Sequence, residues 1–166
     1  MSTIASTSPT TRNSFLRTTV IGGLILGMLH LIIQSWLVFS LLEKNPFISV
    51  LQYVASGAMG NAAFTGGPAT ALLGLVLDFL MTTIMAGVFI LSADQIPLLR
   101  SHVIPGSLLY GFGVFIVMNF FVLPLSAAPP LPAPPMWLFI EMILEHVVLI
   151  GLPLGILVRR NINTNQ

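Results

Sequence analysis

Charge is what this sequence has least of. Only 7% of its 166 residues are Asp, Glu, Lys or Arg, against roughly a quarter in an ordinary soluble domain. Six basic and five acidic side chains cannot cover a water-facing surface, so a soluble globular domain is excluded and one membrane domain is the natural reading. Cysteine is absent, which excludes disulfides, thiolate metal sites, iron-sulfur clusters and cysteine nucleophiles, and leaves the redox compartment open. With a net charge of +1 and no run of basic residues, the chain offers nucleic acid no electrostatic footprint and anionic lipid no polybasic tract. No nucleic-acid partner is expected. His-Glu-x-x-His, Gly-x-Ser-x-Gly and phosphate-cradling glycine motifs are also missing, so no catalytic residue is assigned, no cofactor is called for, and an enzyme is the less favoured class.

Apolar residues are abundant, at 55% of the chain and a mean hydropathy of +0.98. The stretch 18–42 would be about 37 Å long as a helix, enough to cross a hydrocarbon core of about 30 Å. Arg12 and Arg17 precede it as in a secretory signal, but the run is too long and ends without a small-x-small cleavage site, so we expect it to be retained. Further spans are expected at 69–92, 103–125 and 137–158. The reading is all-α: a polytopic membrane four-helix bundle over 17–160, between a disordered tail at 1–16 and a C-terminal tail at 161–166. The turn holding Asp94, Pro97 and Arg100 is short, which makes helices two and three antiparallel neighbours. The proline-rich run 129–135 cannot hold a helix and reads as a stiff connector, with a ligand for a proline-recognition domain as the rival reading. Gly151, Pro153 and Gly155 should kink or loosen the last helix.

The interval 45–68 is mostly apolar but broken by Ser49, Gln52, Ser56, Gly57, Gly60 and Asn61. Phe47, Val50, Leu51, Val54 and Ala58 share one helical face, so a short interfacial helix is expected between helices one and two. A re-entrant half-helix and a fifth span are the alternatives. With four spans, Arg12, Arg17, Arg100, Arg159 and Arg160 share one side against Lys44 on the other, which puts both termini of a multi-pass protein in the cytoplasm. Trp36 and Trp137 then sit near outer helix ends, as in an aromatic belt.

Seven polar residues fall inside apolar spans: His30, Gln34, Asp78, Asn119, Glu141, Glu145 and His146. An ionised Asp at a helix centre costs about 2.5–3.5 kcal/mol on insertion scales, so such groups turn to the bundle interior, pair or hold a proton. Counted along their spans at a uniform helical rise, all seven lie from the midplane outward, which implies a shared polar layer. Gly23, Gly27, His30 and Gln34 form one stripe on helix one. Ala71, Gly74, Asp78 and Thr82 form another on helix two, and Gly111, Phe115 and Asn119 align on helix three. Glu141 and Glu145 stack one turn apart, whereas His146 is turned about 100° from Glu145.

Carboxylates and imidazoles at graded depth suit a proton or cation path, with Asp78 and Glu145 as the titrating pair. His30, Asp78, Glu145 and His146 are weak alternative metal ligands, because Glu141-x-x-x-Glu145-His146 does not reproduce the Glu-x-x-His spacing of diiron bundles. The reading is therefore a small proton- or cation-coupled transport component. The alternatives are a metal-dependent membrane enzyme and an accessory protein with hydrogen-bonded helices. The expected partners are the lipid bilayer and a second copy or another membrane protein. His102 reads as solvated, and no internal repeat suggests an inverted-repeat transporter core.

The segments Gln52-Tyr53-Val54-Ala55-Ser56-Gly57, Ala63-Phe64-Thr65-Gly66-Gly67 and Thr70-Ala71-Leu72-Leu73-Gly74 resemble a group of small bacterial integral membrane proteins of unknown function. Tyr110-Gly111, Val117-Met118-Asn119 and Leu123-Pro124-Leu125-Ser126-Ala127 extend the likeness over residues 50–127. The resemblance implies a four-helix bacterial inner-membrane protein and brings no activity. Histidine is usual in that group where this chain has Asp78, a departure that keeps a polar group there but puts a specific metal or proton role in doubt.

Overall fold

A computed structural model describes residues 12–42, 46–130 and 133–164. Residues 1–11 of the expected tail, Lys44, and part of the proline-rich run lie outside them. Among the described residues every regular element is helical. The chain runs α1 (Arg12–Leu42), α2 (Pro46–Met59), a 3₁₀ turn (Gly60–Phe64), α3 (Gly67–Gln95), α4 (Pro97–Ser101) and α5 (Val103–Val117). After a π-helical turn (Met118–Val122) come α6 (Leu123–Leu125), α7 (Met136–Leu144), a second π turn (Glu145–Gly151) and α8 (Leu152–Thr164). Helix α1 starts at Arg12, inside the stretch read as a tail.

Among the described residues four helices are long and apolar enough to cross a membrane: Ser14–Trp36, Gly67–Gln95, Val103–Leu125 and Met136–Arg160. Their outward faces carry large apolar side chains such as Leu72, Leu109 and Phe120, each at least 60% exposed. Lipid solvates such a surface; water does not. Trp36 and Trp137 are exposed on it as well. The breaks between spans have local causes. Ile96 is extended because Pro97 disfavours the helical region for the residue before it, and α3 ends there.

Both π turns stop two residues before a proline, Pro124 and Pro153. Proline has no N–H for the i−4 carbonyl, and its ring presses on that carbonyl, so the preceding turn widens. The loosening expected at Gly151-Leu152-Pro153 thus takes the form of a π turn, and Pro124 produces a second one.

The helices touch where side chains are small. Thr83 of α3 closes on Gly23 of α1, and Phe79 on Gly27. Gly111 of α5 lies against the His146 carbonyl, and Gly151 against the Ser107 carbonyl. At the end that carries Arg17, Arg100 and Arg159, an apolar core of Leu26, Phe89, Ile90, Val103, Leu154 and Val158 joins all four spans.

Helix α2 divides the apolar face read from its sequence. Phe47 is 56% exposed and Ala58 is exposed too, while Val50, Gln52, Ala55 and Ser56 are buried against the protein. Gln52 Nε2 donates to the Gly67 carbonyl at 3.3 Å and to Thr70 Oγ1 at 3.5 Å, and Thr70 Oγ1 donates to Ala63 O at 2.6 Å. Polar groups turn inward because only protein offers them partners. Met59 ends α2, so no single helix crosses between α1 and α3. The return turn uses Gly60 and Gly67 at φ of +61° and +58°, a backbone region that side chains disfavour. Ala127 N donates to Gly57 O at 2.9 Å, tying the segment after α6 to the end of α2.

The closest approach is Gly74, where a methyl group would overlap the Leu51 carbonyl. We expect Gly74→Ala to lower stability by roughly 1–3 kcal/mol through overpacking. Gly113→Ala, a position with open space around it, should raise stability by up to about 1 kcal/mol. Thermal unfolding of the two variants in detergent checks the contrast, and equal shifts would count against the packing.

Candidate functional site

The stripe on α1 faces inward as the spacing requires. Gly23 and Gly27 let α3 come close, and one turn later the polar members of each stripe meet. His30 Nδ1 and Asp78 Oδ1 lie 2.6 Å apart. Asp78 is only 4% exposed, whereas the His30 side chain is 34% exposed. The pair joins an imidazole of α1 to a buried carboxyl group of α3. One turn along α1, Gln34 Nε2 donates to Glu145 Oε2 at 2.6 Å, and Glu145 is 6% exposed. Thus α1 holds α3 with one side chain and the last span with the next.

A third link lies beside them. Thr82 Oγ1 donates to the Gly23 carbonyl at 3.0 Å, with its own Asp78 carbonyl also at 3.0 Å. Glu141 and Glu145 lie close enough to interact electrostatically, and so do Glu145, His30 and Asp78. In each acid one oxygen is buried without a hydrogen-bond partner: Asp78 Oδ2, Glu141 Oε2 and Glu145 Oε1. Native interiors rarely leave such an oxygen unmatched, so each marks a place for a carboxyl proton or a water.

Two of the seven sequence candidates bond within their own helix. Asn119 Nδ2 donates to the Phe115 carbonyl at 3.0 Å. His146 Nδ1 donates to the Met142 carbonyl at 2.8 Å, which fixes its tautomer when neutral, and its ring sits edge-on to Phe115 at 5.6 Å. Glu145 therefore looks toward α1 and His146 toward α5, as the 100° step between successive residues demands. His30, Asp78, Glu145 and His146 do not converge on one point. Among the described residues no group of three His, Asp or Glu side chains is placed to hold a metal ion.

The sequence reading did not single out Ser35, which is 4% exposed with its hydroxyl unpartnered. Its signal was available: a hydroxyl beside Gln34 in an apolar run. Tyr110 was also passed over; its hydroxyl donates to the Met85 carbonyl at 2.8 Å and links α5 to α3.

No protein-family model, curated protein or solved structure matches the chain. The site is therefore argued from its own geometry.

Removing His30 leaves Asp78 buried without its partner. We expect a double-mutant cycle with His30→Ala and Asp78→Ala to give a coupling of about 0.5–2 kcal/mol, the range of polar contacts between membrane helices. Unfolding in mixed micelles measures it, and strictly additive losses would argue against the pair.

Proposed function

We propose that this chain is a small multi-pass protein of a bacterial inner membrane, with cytoplasmic termini, in which Asp78, Glu145 and His30 take up and release protons as part of a proton- or cation-coupled transport component. Four apolar helices support the membrane setting. The five arginines gathered against Lys44 support the orientation, and the resemblance to small bacterial membrane proteins supports the source. Burial of Gln52 and Ser56 with Phe47 left outward favours α2 as a re-entrant arm solvated by lipid, since an interfacial helix would turn its polar side to water.

One observation carries the functional reading. Two buried carboxyl groups, Asp78 and Glu145, are each held through one oxygen by a side chain of α1, with the other oxygen buried without a protein partner, and Glu141 lies close enough to Glu145 to interact with it. Purely structural glue needs no such surplus. A structural reading has its own support in the Thr82–Gly23 bond, which joins the same helices without a titratable group.

The two readings part on isosteric replacements. Asp78→Asn and Glu145→Gln keep a hydrogen-bonding shape but cannot exchange a proton. In proteoliposomes with a trapped pH-sensitive dye, we expect the wild type to dissipate an imposed gradient, and each variant to slow it by about ten-fold or more with folding retained. A wild-type rate equal to that of protein-free vesicles, or unchanged rates in both variants, refutes proton handling.

A further inference from the structure

The arginine end of the bundle holds an open cavity of about 390 Å³, lined by Arg100, Ser101, His102, Val103, Ile104, Pro105 and Arg159. Its size lies within the 300–1,000 Å³ or so of small-ligand sites. Packing brings Arg100 and Arg159 to the lining of one cavity although 59 positions separate them in the sequence. Leu99 folds against Gly106, which turns α4 back on the start of α5, and Gly155 admits Ile104 and Ser107. One turn beyond Gly155, Arg159 reaches the same cavity. Ser101 Oγ and His102 Nδ1 bond each other at 2.9 Å at its edge.

The lining is rich in donors. Among the described residues it contains two arginines, an imidazole and a hydroxyl. Guanidinium forks from separate helices match the oxygens of a tetrahedral oxyanion. Val103 and Ile104, in the first turn of α5, bring the positive end of that helix dipole to the same lining. Ile104 and Pro105 supply an apolar wall beside these donors, which a free inorganic anion does not require and a lipid ester does.

We propose that this cavity is a phosphate-binding site, taking the phosphodiester of an anionic phospholipid headgroup at the membrane surface where the arginines lie. Basic pockets between membrane helices on that side recognise such headgroups. The folded chain thus assembles what its sequence lacks as a contiguous run: a basic cluster, built by α4, α5 and α8.

The test uses the full chain purified in detergent, with lipid binding followed by native mass spectrometry. Phosphatidylglycerol should bind about ten-fold more tightly than phosphatidylcholine. The double variant Arg100→Gln, Arg159→Gln should lose about ten-fold or more of that affinity. Arg159→Lys, which keeps charge without the fork and guards against misfolding of the double variant, should fall between. Arg17→Gln, a basic residue at the same end but outside the cavity, should change binding by less than about two-fold. Displacement of lipid by millimolar inorganic phosphate would support the phosphate site and assign it to a free anion, whereas retention supports the lipid. Equal binding of the two lipids, or an equal loss in Arg17→Gln and the double variant, overturns the proposal.

Discussion

A carboxyl group placed in the middle of an apolar span has no solvent to turn to, and the arrangement of this bundle follows from that. Asp78 and Glu145 are more than nine-tenths buried, so each needs a partner from another helix. His30 and Gln34 supply these partners from one face of α1. A bond of 2.6 Å across a helix interface requires close backbones, and in lipid no hydrophobic drive pushes helices together. Gly23 and Gly27 meet the requirement by removing the side chains that would hold α3 away. The glycines and the acids are therefore two parts of one solution, which is why they share a stripe.

Proline shapes the same region from a different direction. Pro124 and Pro153 each force the preceding turn open, and the widened turns contain Asn119 in one helix and Glu145 with His146 in the other. An extra residue per turn rotates the face that follows it. Glu145 opens such a turn, at the point where the last span must satisfy both Gln34 on α1 and the packing of Gly151 against Ser107 on α5. Backbone irregularity here is local and has a named cause, and it lies where the functional chemistry is proposed.

Much of this could be read from residues alone, and the parts that could not have physical reasons. Four spans follow from apolar run length, and the inward stripes of α1 and α3 from helical spacing. Asp78 and His30 could be expected at one depth, yet their pairing needed the relative rotation of two helices. Helix α2 and its apolar positions could be expected, but not which of them would meet protein: Val50 packs inward with Gln52 and Ser56, while Phe47 stays outside, where lipid is a good solvent for it. The π turns were half visible, since proline announces a disturbance without specifying its form. The arginine cavity was invisible, because residues 100 and 159 become neighbours only through the contacts of Gly106 and Gly155.

The two halves of the bundle then differ in a way that bears on the proposed proton chemistry. Toward the arginine end, Leu26, Phe89, Ile90, Leu154 and Val158 fill the interior with apolar atoms, and Tyr110, which bonds across the spans there, donates its hydroxyl to the Met85 carbonyl. Under the proposed function, that apolar core is the barrier to protons on the arginine side. A pathway open at one side and sealed at the other is the condition for coupling rather than leak, because passage requires the seal to change. The last span is the element that touches both halves: its π turn begins at Glu145 in the polar layer and ends at Gly151, three residues before Leu154 in the apolar core. A helix whose hydrogen-bond register is already displaced there needs the least rearrangement to shift again, so the charge state of Glu145 and the packing of Leu154 are joined through one short stretch of backbone.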